Sequence, residues 1–72
     1  MYKVIGKNNC NACSINKTIL TNKNIDFEYY VLEDLPQEEQ DNYIQLAQEQ
    51  SKVSMPLIID ENNTILTLQE VQ

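Results

Sequence analysis

Apolar positions change their period along the chain, from the alternation of a strand to the three-and-four spacing of a helix and back. "YKVIG" (Tyr2 to Gly6) reads as a short strand of β-formers that stops at the chain's only glycine. From Asn11 to about Asn22, Ala12, Ile15 and Ile19 recur at helical spacing and Leu20 widens the stripe, so this face is predicted to turn inward. Asn22 to Asn24 close the helix, because asparagine tolerates the left-handed conformation wanted just past a helix end.

"IDFEYYVL" (Ile25 to Leu32) sets Ile25, Phe27, Tyr29 and Val31 against Asp26, Glu28, Tyr30 and Leu32, the pattern of a second strand. Asp34 offers a helix cap, Pro36 suits the first turn, and Glu38 and Glu39 face the positive helix end. That helix runs to about Gln50, with Leu35, Tyr43, Ile44 and Ala47 as the inward positions. "PLIID" (Pro56 to Asp60) is a buried strand, "ENN" a turn and "TILTL" (Thr64 to Leu68) a further strand, which makes a closing hairpin. The final "QEVQ" has length for one helical turn.

The predicted order is β-α-β-α-β-β in one domain over residues 1–72, an α/β fold with a four-stranded mixed sheet and a truncated or absent last helix. Two strand–helix–strand crossings imply a parallel core with right-handed connections, and the hairpin adds antiparallel edges. A chain of 72 residues is near the size at which one hydrophobic core just suffices.

Composition narrows the function. Apolar residues make up 42% and charged residues 22%, as in ordinary globular domains. No apolar run approaches the ~20 residues of a membrane span, and "MYKVIGKNN" lacks the apolar core of a signal peptide. Two cysteines do not make a secreted disulfide scaffold, so a reducing cytoplasm is the expected setting. The net charge of −6 is unevenly spread: residues 1–25 carry +4 and no acid, and residues 26–72 carry −10 with Lys52 as the lone base. An acidic remainder of this kind repels phosphate backbones, which argues against a nucleic acid as the main partner.

Both cysteines lie in the cationic part, in "GKNNCNACSINKTIL". Cys10 at the end of a strand-to-helix loop would present its sulfur to the unpaired N–H groups and positive dipole of the helix start. Lys7 adds a positive charge, and no carboxylate stands nearby in sequence. These terms lower a thiol pKa, toward the ~3.5–7.5 range of activated cysteines. Cys13, one turn on, can close a disulfide with it. The chemistry such a pair supports is thiol–disulfide exchange, with Cys10 as nucleophile and Cys13 as the resolving thiol.

Other uses of two cysteines fit less well. A structural zinc site needs four ligands, and the chain has no histidine and no second cysteine pair. Haem attachment needs a histidine where Ser14 stands. Two inert core thiols would not be flanked by Asn8, Asn9 and Asn11. Small copper-chaperone domains usually carry a methionine where this chain has Asn8, and their element order differs. A module that holds metal or an iron–sulfur cluster between two copies through Cys10 stays open as the alternative.

The chain resembles the glutaredoxin-like branch of the thioredoxin superfamily, including the NrdH-type redoxins and phage glutaredoxins. "KNNCNAC" looks like that family's Lys-x-x-Cys-x-x-Cys, and "SMP" looks like its Thr-Val-Pro segment. The residues alone give Pro56 as a strand-start proline. The resemblance implies instead a cis proline facing the two sulfurs, a Met55 backbone that pairs with an extended substrate or glutathione, and a Lys7 that meets a glutathione carboxylate. It further implies a small monomeric electron donor that reduces protein disulfides, ribonucleotide reductase among them, with no resident cofactor beyond its redox-active disulfide and no membrane partner. Asn11 and Ala12 replace the frequent Pro-Tyr between the cysteines. Glutathione users carry a Gly-Gly pair where this chain has Leu66 to Leu68. That departure favours a thioredoxin-type reductase over glutathione as the electron source.

Overall fold

Val4 and Ile5, adjacent in sequence, are both fully buried, so the strand that carries them must be covered on its two faces. The computed structural model describes residues 1–71; Gln72, the end of the expected "QEVQ" turn and of the expected domain, lies outside the described residues. The elements are β1 (Tyr2–Gly6), α1 (Asn11–Asn22), β2 (Phe27–Val31), a 3₁₀ turn (Leu32–Asp34), α2 (Gln37–Glu49), β3 (Leu57–Ile59), β4 (Ile65–Leu66) and a second 3₁₀ turn (Leu68–Glu70). They form a four-stranded mixed sheet in the order β2-β1-β3-β4 with two helices, a minimal thioredoxin fold.

Only β1 and β2 are parallel, with Tyr2 opposite Phe27 and Gly6 opposite Val31. β3 runs antiparallel to β1, and β4 antiparallel to β3. The expected parallel core is therefore corrected to a single parallel pair. The chain leaving α2 enters β3 in the opposite sense, so only the first strand–helix–strand unit is a parallel crossover.

The sheet has an apolar cluster on each face. On one, Ile5, Leu57, Ile59 and Ile65 pack with Ala47 of α2, and Tyr43, Leu46 and Met55 lie against them. On the other, Val4 and Ile58 pack with Leu20 of α1 and with Val71, while Phe27, Tyr29 and Leu68 flank them. β3 is consequently apolar at every position: Leu57, Ile58 and Ile59 are all buried.

α1 has the predicted limits but a different inner face. Cys13 and Leu20 are its buried residues, whereas Ala12 is exposed and Ile15 is 58% exposed. Counting only aliphatic residues misplaced the stripe, because a half-buried Asn16 and the buried Cys13 occupy the side that meets the sheet. The helix closes as expected on asparagine: Asn24 is left-handed with φ 58°, and Lys23 N–H and Ile25 N–H return to Ile19 O and Leu20 O.

α2 begins at Gln37 with Pro36 as its N-cap residue, so Asp34 does not cap it and lies in the 3₁₀ turn. Ala47 is the buried position of α2, with Tyr43 and Ile44 half-buried beside it. Leu68 lies outside β4, in the last turn, which Thr67 and Glu70 close by a reciprocal capping box. No helix among the described residues is long and apolar enough to cross a membrane.

Candidate active site

Sheet register brings three distant segments to one end of the molecule. Gly6 pairs with Val31 in β2, and Ile5 pairs with Leu57 in β3. The loop that follows β1, the turn that follows β2 and the segment that leads into β3 therefore meet at the same edge. They carry Lys7 to Cys10, Leu32 to Asp34, and Met55 with Pro56.

Asn8 and Asn9 form a turn, and Asn9 adopts the left-handed φ of 56°. Cys10 follows in extended conformation (φ −113°, ψ 104°) as the N-cap of α1. Its Sγ accepts a hydrogen bond from the N–H of Cys13 at 3.1 Å, and its carbonyl accepts from Ser14 N–H at 3.3 Å. Sulfur thus takes the place that Ser, Thr, Asp or Asn oxygen takes at most helix starts, and satisfies one of the orphan amides. Cys10 and Cys13 are joined as a disulfide with their Cα atoms 5.3 Å apart. Cys13 is 1% exposed, while Cys10 is partly exposed. Of the two cysteines, Cys10 is the one open to solvent.

Lys7 is exposed and makes no ion pair among the described residues. Met55 and Pro56 are half-buried, and the peptide bond between them is cis. Beside them lies an open cavity of about 360 Å³, whose walls include Asn16 of α1, Lys52, Val53, Met55, Pro56 and Thr67. Lys52 Nζ donates to Ile65 O at 3.0 Å and to Glu70 Oε1 at 3.2 Å. The Thr67 N–H, then the Lys52 ammonium, hold the Glu70 carboxyl below the usual carboxylate range.

Glu33 was not legible as a site residue. Asn8 N–H donates to both of its carboxylate oxygens at 3.2 Å, across 25 residues of sequence. The parallel register is the signal that would have found it, since positions two past Gly6 and two past Val31 emerge side by side. Tyr29 is the second omission: its ring lies against Gly6 on one side and under the Lys17 ammonium, 4.3 Å from its centroid, on another. Among the described residues no three His, Cys, Asp or Glu side chains gather as a metal site. Metal held through Cys10 would draw its other ligands from a second copy.

No protein-family model matches the chain, and no curated protein matches it. Among solved structures, the glutaredoxin from Methanosarcina mazei Go1 superposes with a TM-score of 0.77 at 22% identity, over 92% of this chain and 65% of its own. Methanosarcina acetivorans methanoredoxin superposes with a TM-score of 0.72 at 28% identity, over 92% of this chain and 70% of its own. The chain thus spans 65% of the length of the first of these proteins. With its Cys-x-x-Cys disulfide at the start of α1 and its sheet order, the chain is glutaredoxin-like, a minimal form of the thioredoxin fold.

Proposed function

We propose that the domain is a dithiol oxidoreductase that reduces protein disulfides through Cys10 and Cys13. The observation that carries this reading is the exposure step across one helical turn, from a partly exposed Cys10 at the helix start to a buried Cys13. In the reduced protein, the Cys10 thiolate attacks one sulfur of the substrate disulfide. A mixed disulfide forms and the other substrate sulfur leaves as a thiolate. Cys13 then attacks the Cys10 sulfur, the second substrate sulfur leaves, and the disulfide closes within the protein. The substrate gains two electrons and two protons, and the dithiol loses them.

Lys7 and the helix amides favour the thiolate, while Met55 and Pro56 form the ledge along which an extended substrate lies. Ribonucleotide reductase is one such substrate, and the cytoplasm the setting in which the dithiol is kept reduced. A flavin-dependent thioredoxin-type reductase returns the electrons, in preference to glutathione, because residues 66 to 68 read Leu-Thr-Leu without a glycine pair.

Reduction of insulin disulfides by wild type, Cys10→Ser and Cys13→Ser tests the reading. Both variants are expected to lose turnover, and Cys13→Ser is expected to accumulate a mixed disulfide that Cys10→Ser cannot form. Equal activity in all three proteins would sink it.

A further inference from the structure

We infer that Glu33 is a positioning residue for Cys10: its carboxylate anchors the Asn8 N–H and so sets the loop that delivers the sulfur to the helix start. This inference rests on the proposed role of Cys10. The loop from Lys7 to Asn9 is exposed and contains a left-handed residue immediately before Cys10. Between the end of β1 and Cys10, the hydrogen bond from Asn8 N–H to Glu33 fastens this loop to the turn after β2. The acceptor is a carboxylate, so this single N–H is held by a charge-assisted bond shared between two oxygens at 3.2 Å.

Glu33 does a second thing by virtue of its charge. Residues 1–25 hold four lysines and no acid, and the fold brings this carboxylate onto the Asn8 N–H, two residues before Cys10. A thiolate at Cys10 therefore meets an anion that the sequence order conceals. Anchor and anion act in opposite senses: the first holds the nucleophile in place, and the second restrains its ionisation.

Glu33→Gln keeps an acceptor and removes the charge, while Glu33→Ala removes both, so the pair separates the two effects. In reduced protein, the pH midpoint of Cys10 alkylation is expected to fall by about 0.2–0.5 unit in Glu33→Gln, the shift of one charge removed at solvent-screened range. Disulfide exchange is expected to slow about 2- to 10-fold in Glu33→Ala, the loss of one hydrogen bond's worth of order, and Glu33→Gln is expected to recover most of it. Hydrogen exchange at the Asn8 amide should accelerate in Glu33→Ala alone. An unshifted midpoint in Glu33→Gln, together with wild-type exchange in Glu33→Ala, would overturn the inference while leaving the oxidoreductase intact. If wild type itself reduces no disulfide, the functional reading fails, and the alkylation midpoint and the Asn8 amide still decide the role of Glu33. Unaltered values for both would then overturn it.

Discussion

Gly6 lies against the ring of Tyr29 so closely that a Cβ on residue 6 would overlap the Tyr29 hydroxyl and stand 2.8 Å from its Cζ. The chain's one glycine is required there by close approach, since no glycine has a positive φ. Gly6 also ends β1, immediately before the loop that carries Lys7 and Cys10. These two residues therefore meet where β1 gives way to the site loop.

Gly6→Ala is expected to destabilise the domain by about 1–3 kcal/mol, the range for overfilling a packed site. Removing the hydroxyl by Tyr29→Phe should recover part of this and not all, because the Cζ contact persists. A double-mutant cycle of urea midpoints reads the coupling. Additive effects would mean the two residues do not touch.

The two sides of α1 should respond differently to truncation. Leu20 is fully buried, and Leu20→Ala is expected to cost about 2–5 kcal/mol, a large share of the ~5–15 kcal/mol that holds such domains folded. Ile15 is 58% exposed, so Ile15→Ser should stay within about 0.5 kcal/mol. Comparable losses at both positions would contradict the observed helix phase.

Glu70 gives a pH signature. Hydrogen bonds from Thr67 N–H and Lys52 depress its folded pKa, so its contribution is fully present above the usual carboxylate value of ~4.3 and is lost as pH falls through the depressed value. The stability difference between wild type and Glu70→Gln is expected to be largest near neutrality and to vanish at the acid end. Thermal melts from neutral to acid pH check this. A difference that grows on acidification has the wrong sign and would refute it.

Access at the cystine predicts an order of labelling. After reduction, a neutral alkylating reagent should modify Cys10 well before Cys13, since Cys13 is 1% exposed. The rate at Cys10 should rise through a pH below the ~8.5 of a free thiol. Mass spectrometry of quenched samples identifies the labelled residue. Simultaneous labelling would show that the second thiol is not sheltered in the reduced domain.

Much of this arrangement was legible because local rules sufficed. Alternation and turn residues located β1, and the helical period with asparagine closure located α1 over Asn11 to about Asn22. Cys10 fell at a helix start because a strand, a polar loop and a helix followed in order. What the sequence hid was set by distant pairing. The sense of β3 depends on how the segment from Gln50 to Pro56 turns, which no local period encodes. The carboxylate of Glu33 reaches Asn8 only through the parallel register. The inner face of α1 was partly misassigned because Cys13 is buried and Asn16 half-buried, while Ala12 and Ile15 of the expected stripe are exposed.

β1 is hydrogen-bonded on both sides, to β2 along one edge and to β3 along the other. Its β3 partners, Leu57 to Ile59, lie far along the sequence, so pairing on that edge closes a long loop. Such distant contacts slow folding, because loop-closure entropy is lost before the pairing repays it. The edge that carries the sulfurs, where Ile5 meets Leu57, is therefore complete only once that distant pairing has formed, and redox competence should track this slow step of folding.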